Sequence, residues 1–436
     1  MKRWTSLLIL TILVIISINI CVIQSTQCFR YQNPRKRNIA VRTNCDDPKL
    51  DRVIEAFIDA GSILSSVLYL RSSIVVNISA YDFCADDPLC NGDYAYDPGY
   101  AQPTLLYLLK DDDGVERLYP QSLVKQFNFS SDPEYNYPDI YGEFNLGLNY
   151  WFKDDPPIKY NQYDFLGLIL HELCHGLGFQ TSWSTWSPDE SAQYITPMLM
   201  TEEDYEYLWE DRYDPNKRVS WMGFRENIFD KYLVFTNTGN YVSNKTALLN
   251  EFFSNDIKGS YYDFQQKFMS SPQYAIAKDM MNISTQPQTL GLVNWNLTSH
   301  HTQGAFNISD LFVVDTTSSV FDPYNSINHV DFTIYTNTSD FLMRNQLFPG
   351  ETLSGDIMLG GKFHNGQLVG AIGPKLKRFF ETMGYGTYSR PNHSYMPKLE
   401  LAPININSGT AAVEIQIHLL VQIRRNSAIA ADNTEI

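Results

Sequence analysis

Apolar residues in this chain return in two rhythms. Between positions 164 and 179, Leu166, Ile169, Leu173 and Leu177 recur every three or four residues, which winds them onto one side of a helix. The other side carries His171, Glu172 and His175, and Gly178 stands where a glycine ends a helix. The spacing therefore predicts a half-buried helix, with Gly167 leaving its front face bare just before the first histidine. The same rhythm predicts helices over residues 48–68, opened by Asp46, Asp47 and Pro48, over 261–281, and over 374–385, opened by Pro374 and ended by Gly384. Short β-branched or alternating runs predict strands over residues 74–78, 104–109, 115–119 and 139–145, with Asp111 to Gly114 as a tight turn. The tail over 413–423 alternates too, and is too polar and too short to span a membrane. Mixed helices and strands in this order indicate an α+β fold.

With 436 residues, 44% of them hydrophobic, and 28 Tyr and 25 Phe, the chain can bury a sizeable core. A formal charge of −16 argues against nucleic-acid binding by phosphate neutralisation. Residues 1–27 place Lys2 and Arg3 before a long apolar run, as in a secretory signal, with an uncleaved anchor as the alternative. After cleavage no stable membrane insertion is expected. Arg35-Lys36-Arg37 reads as a processing site or a solvated turn. Eight Asn-x-Ser/Thr sequons, at Asn77, Asn128, Asn244, Asn282, Asn296, Asn307, Asn337 and Asn392, agree with secretion. Outside the signal and the histidine helix, four cysteines are expected to pair as Cys28 with Cys45 and Cys84 with Cys90, with Cys174 free and buried. A thiolate plug from Cys28 or Cys45 is the alternative. The acidic loop containing Asp82, Asp86, Asp87, Asp93 and Asp97 is read as solvated rather than as a calcium site.

Two histidines four apart on a helix aim their imidazoles at one point, and Glu172 projects beside them, where a carboxylate can reach a water activated there. Zn2+ is the expected cofactor. A catalytic zinc needs a third protein ligand. Thr181, six residues after His175, is a poor one, and Glu190 lies in Ser- and Pro-rich sequence. His300, His301, His329 and His364 remain as candidates.

The stretch His171-Glu172-x-x-His175-Gly176-Leu177-Gly178-Phe179, with the distant His329 and then Leu342-Met343, resembles the leishmanolysin-like branch of the metzincins and its secreted microbial relatives. The resemblance implies a zincin-like domain with a large insertion before the third ligand. It implies His329 as that ligand and Met343 as the methionine of the turn beneath the metal. The expected layout is a signal at 1–27, a catalytic half at 28–179, an inserted subdomain of helix and loop at 180–325, a second catalytic half at 326–390 and a tail at 391–436. The implied activity is hydrolysis of protein or peptide substrates, with Glu172 as general base. A non-catalytic adhesion protein on the same scaffold, or a zinc hydrolase of other amides or esters, are the alternatives.

Overall fold

The computed structural model describes residues 28–31, 40–43, 50–84, 96–185, 193–201, 219–254, 257–294, 306–360, 370–391, 397–405 and 416–417. Its architecture is α+β with mixed sheets: three small ones pair β1 (Cys28–Tyr31) with β2 (Ala40–Thr43), β8 (Tyr150–Trp151) with β9 (Tyr163–Asp164), and β12 (Leu233–Phe235) with β14 (Leu290–Leu292) and β15 (Phe312–Val313), while β13 (Ile257–Gly259) joins the second of the two larger sheets. One sheet has the order β17 (Gln416–Ile417), β3 (Val76–Tyr81), β7 (Ile140–Asn145), β4 (Gly99–Pro103). Here β3 and β7 run parallel and β4 pairs antiparallel with β7 as an edge strand. The 18-residue helix α1 (Leu50–Val67) buries Val53, Phe57, Ala60 and Leu64, the stripe its spacing predicts. The Phe57 ring meets Phe144 of β7 edge-on at 5.4 Å and Phe165 at 6.4 Å. Phe165 opens the histidine helix, α3 (Phe165–Gly176), so first helix, sheet and site helix share one aromatic contact.

A second sheet orders β10 (Met198–Thr201), β11 (Val219–Asn227), β6 (Glu116–Pro120), β5 (Leu105–Lys110) and β16 (Lys398–Asn405). Its β5–β6 hairpin turns at Asp111 to Gly114, as the sequence suggests. The helix α2 (Gln121–Val124) follows directly. In the parallel register of β11 with β6, Glu226 lies beside Arg117, and their side chains pair at 3.2 Å. The buried Arg117 also pairs with Asp111 at 3.1 Å and Asp113 at 2.8 Å, and Lys231 reaches Asp111 at 2.7 Å. A buried guanidinium with fewer partners would leave charge uncompensated, so this network fixes how β11 docks.

Several expectations need correction. The region 180–325, expected as helix and loop, also supplies strands, and β11 joins the sheet of β5 and β6. The run over 261–281 is two helices, α5 (Tyr261–Met269) and α6 (Pro272–Ile283), because Pro272 cannot continue the first and instead starts the second. They follow α4 (Ser243–Asn250). Within the glycine-rich stretch after residue 350 there is a helix, α8 (Leu353–Gly360), which follows the short α7 (Phe332–Tyr335). The last helix, α9 (Pro374–Met383), ends on Gly384 at φ 133, as expected. The signal segment, Cys45, Cys90, Glu190, His300, His301 and His364 lie outside the described residues. Cys84 is disulfide-bonded. Among the described residues no helix is long and apolar enough to cross a membrane.

Candidate metal centre

Helix α3 starts where Asp164 caps it. One carboxylate oxygen of Asp164 accepts from the N–H of Leu166 at 2.9 Å and of Gly167 at 3.3 Å. The other accepts from the N–H of Leu353 at 2.8 Å, which ties the start of α8 to the start of α3. The helix is not half-buried as predicted. It is enclosed nearly all round, with only Leu166 and His175 partly accessible, because α1, the first sheet and the chain beyond residue 329 all pack on it.

Its far end is a glycine stop of the kind that reverses a chain. The Gly178 N–H donates to His175 O at 2.8 Å and the Phe179 N–H to Cys174 O at 3.1 Å, with Gly178 at φ 101. That reversal brings the carbonyl of Phe179 back to His175, whose Nδ1 lies 2.8 Å from it. The element that ends the helix thus also orients its second histidine.

Each of the three imidazoles meets the backbone in this way. His171 Nδ1 lies 2.7 Å from Leu342 O, and His329 Nδ1 lies 3.1 Å from Asn325 O. A carbonyl oxygen only accepts, so each Nδ1 carries the proton and donates it, leaving a bare lone pair on each Nε2. Those lone pairs converge. The Nε2 atoms of His171 and His329 are 3.0 Å apart, of His171 and His175 3.1 Å, and of His175 and His329 3.3 Å. Burial, opposed at each ring by its carbonyl hydrogen bond, holds His171 down to about 4 and His175 down to about 3. His329 is lowered well below its ordinary value by burial and by the two neighbouring rings. At neutral pH the three rings are therefore uncharged, and no proton stands between nitrogens at contact distance. Such a cluster repels itself unless a cation sits among the lone pairs, so these residues can hold a metal ion.

The sequence model of the SPBPB7E8-like family matches residues 22–403. The chain belongs to that family. Over 412 residues it is 24% identical to the uncharacterized protein PB7E8.01 of Schizosaccharomyces pombe, covering 91% of this chain and 71% of that protein. No solved structure matches. In this SPBPB7E8-like chain the family match spans all three histidines and the turn at residues 341–344.

Met343 lies in that turn. The Arg344 N–H donates to Phe341 O at 3.0 Å, Met343 is fully buried, and the Leu342 carbonyl between them is the one His171 uses. The Val330 N–H donates to Met343 O at 2.8 Å, which fastens the turn beside His329. Glu172 is buried, and its Oε2 accepts from the Ala101 N–H on edge strand β4 at 3.2 Å. Burial, with the charge of Asp97 adding to it and the Ala101 hydrogen bond opposing, pushes the Glu172 carboxyl up to about 8. Cys174 is free and buried, and burial raises its thiol, which removes it as a nucleophile.

The second group with metal-like spacing, Asp111, Asp112 and Asp113, already faces Arg117 and Lys231. Its cations are side chains. At the two ends of the acidic loop, Asp82 accepts from the Cys84 N–H and Asp97 from the Gly99 N–H, both within local turns, while Asp86, Asp87 and Asp93 lie outside the described residues. Sequence reasoning missed Asn328, whose side chain accepts from the Thr181 N–H at 2.9 Å and donates to Pro323 O at 2.9 Å. Thr181, the position where a compact metzincin site would put its histidine, is instead where the His329 loop is anchored. The only sequence signal was that Asn328 adjoins His329.

Proposed function

We propose that the chain is a secreted zinc endopeptidase with a zincin-like core, in which His171, His175 and His329 hold the metal and Glu172 is the general base. The observation that carries this reading is the convergence of three proton-free Nε2 atoms. Ligands bound to zinc at about 2.0–2.1 Å in a tetrahedron lie about 3.3 Å apart, close to the spacings of 3.0 to 3.3 Å found here. A zinc ion bound there supplies Lewis acidity, making a nearby water more acidic and a peptide carbonyl more electrophilic.

The protein's own part is positioning and proton transfer. The carbonyls of Leu342, Phe179 and Asn325 fix each ring's tautomer and tilt. Glu172 neighbours His171 in sequence and projects from the same helix, and its carboxylate is held against β4. It takes the proton from the attacking water and returns it to the leaving amine, which needs a carboxyl whose pKa lies near the working pH. Asp164, Gly178 and Asn328 hold the elements that carry these groups.

The test is metal analysis joined to a protease assay. Purified protein is expected to retain zinc and to degrade casein or gelatin in a chelator-sensitive way. Glu172→Gln should keep the zinc and lose about 10²–10⁴-fold in rate. Full activity in that variant removes Glu172 from the chemistry. Zinc retention without hydrolysis of any protein favours the adhesion or non-peptide alternatives.

A further inference from the structure

Of the eight sequons, six lie among the described residues, and the fold divides them sharply. Asn128, Asn244, Asn282, Asn307 and Asn337 are all exposed. Asn77 is 5% exposed, sits in β3 between β7 and β17, and its carboxamide oxygen is buried without a hydrogen-bond partner. A side chain so deeply buried leaves no room for a carbohydrate on its nitrogen.

The exposed sites have a local pattern as well. Asn244 stands in the first turn of α4 and Asn282 in the last turn of α6. Lys245, next to Asn244, pairs with Asp279 at 2.6 Å, and Asp279 lies one turn before Asn282 on α6. The two sites therefore flank one ion pair on neighbouring helices of the inserted region. At Asn307 the side-chain oxygen accepts from the Ser309 N–H at 3.2 Å, so the carboxamide is fixed through its oxygen and its nitrogen is the end left for modification. Asn337 lies at φ 60 on the turn after α7, a conformation asparagine tolerates better than most residues.

We propose that Asn128, Asn244, Asn282, Asn307 and Asn337 carry N-linked oligosaccharides, that Asn77 carries none, and that the face formed by α4 and α6 is covered by carbohydrate and is no docking surface. The inference rests on the secretory part of the proposed function. In the reaction the asparagine amide nitrogen attacks the anomeric carbon of an oligosaccharide carried on a polyprenyl pyrophosphate. A C–N bond forms, the C–O bond to the pyrophosphate breaks, the lipid pyrophosphate leaves, and the nitrogen loses one proton. Attachment precedes folding, so a chain modified at Asn77 cannot bury that side chain where the fold buries it, and only chains bare at that position reach the folded secreted pool.

The full chain is expressed in a eukaryotic secretory host, and protein from the medium is treated with peptide N-glycosidase in heavy-oxygen water before peptide mass spectrometry. The expected result is isotopic label at the five exposed asparagines and none at Asn77. Label at Asn77 in folded secreted protein overturns the inference. A secreted chain without label at the five sites overturns the site assignment while leaving secretion standing. A chain found only in the cytosol without label overturns the secretory routing itself, and the inference with it. Zinc content and hydrolysis, measured on the same protein, report on the metal centre separately.

Discussion

His329 owes its place to residues that never touch its Nε2. Ile327, two positions earlier, is fully buried at φ 68, a left-handed backbone that a β-branched side chain rarely adopts. Its N–H donates to Asp315 O, and the Asp315 N–H donates to His329 O, each at 2.8 Å, so strand-like hydrogen bonds on both sides hold the kink. Asn328 holds the same loop from the other direction through Thr181 and Pro323. Replacing it with alanine leaves a buried N–H and a carbonyl without partners. Asn328→Ala is therefore expected to lower stability by about 1–3 kcal/mol. It should also weaken metal affinity about 10–100-fold, read by chelator competition, although it removes no ligand. Unchanged affinity would mean that His329 is held by the backbone alone. Asp356 offers a test of charge. Burial, with the charges of Glu351 and Asp164 adding and Arg344 opposing, raises its carboxyl to about 6. The folded state then binds a proton that the unfolded chain releases near 3.8, so this group's stabilisation is complete below about 4 and is lost as pH rises through about 6. Asp356→Asn should be more stable than the parent at pH 7.5, by an amount that shrinks toward pH 4.5 in urea unfolding. A constant difference across that range would refute the shift.

Helix α3 and the stop that follows it carry three glycines with three different reasons for being there. A Cβ on Gly167 would meet nothing closer than 3.9 Å, one on Gly176 would meet Ile140 Cγ2 of β7 at 2.4 Å, and one on Gly178 would meet Pro120 Cγ at 2.8 Å at φ 101. Gly167→Ala is accordingly expected to be neutral or to stabilise by about 0.5–1 kcal/mol through helix propensity. Gly176→Ala should destabilise by about 1–3 kcal/mol through overpacking against the sheet. Gly178→Ala should cost a similar amount, about 1–3 kcal/mol, through backbone strain. Only Gly178→Ala should also loosen metal binding, because it moves Phe179 O from His175. Thermal melts with zinc titrations of the three variants check the ordering, and a destabilising Gly167→Ala would show that the front of the helix is more crowded than it looks. At this scale the sequence was most readable. Helices whose spacing and end signals stood in the sequence, α1, α3 and α9, were legible because local rules agree with their surroundings. Strand β11 was not, since its own buried residues include Glu226, paired with Arg117 of β6, and a charge paired inside the fold leaves no apolar rhythm to read. The carbonyls of Leu342, Phe179 and Asn325 were illegible for another reason. Every residue has one, and only the path of the folded chain selects which three face a ring.

Across the whole molecule, the imidazole cluster joins two regions that the chain itself keeps far apart. His171 and His175 lie on α3, while His329 comes from a loop reached only after more than a hundred further residues, whose β11 is locked to β6 by the Arg117 network. His329 could be named from the sequence only through a family likeness, because no local pattern links residues separated by so much chain. Closing that distance costs conformational entropy, and a metal that binds all three nitrogens binds the folded state and scarcely the unfolded one. Bound metal should therefore add stability by mass action, about 4 kcal/mol when free metal exceeds its Kd 1,000-fold. The melting temperature of the parent should fall on chelation and recover with added zinc. Glu172→Gln should show the same response, since its carboxylate is not among the three nitrogens. His329→Ala should lose the response while melting at a temperature close to that of the chelated parent. This pattern separates metal as a structural tie from metal as a reagent, because it requires no substrate. A parent protein whose melting ignores both chelator and zinc would mean that the three lone pairs converge without a cation between them.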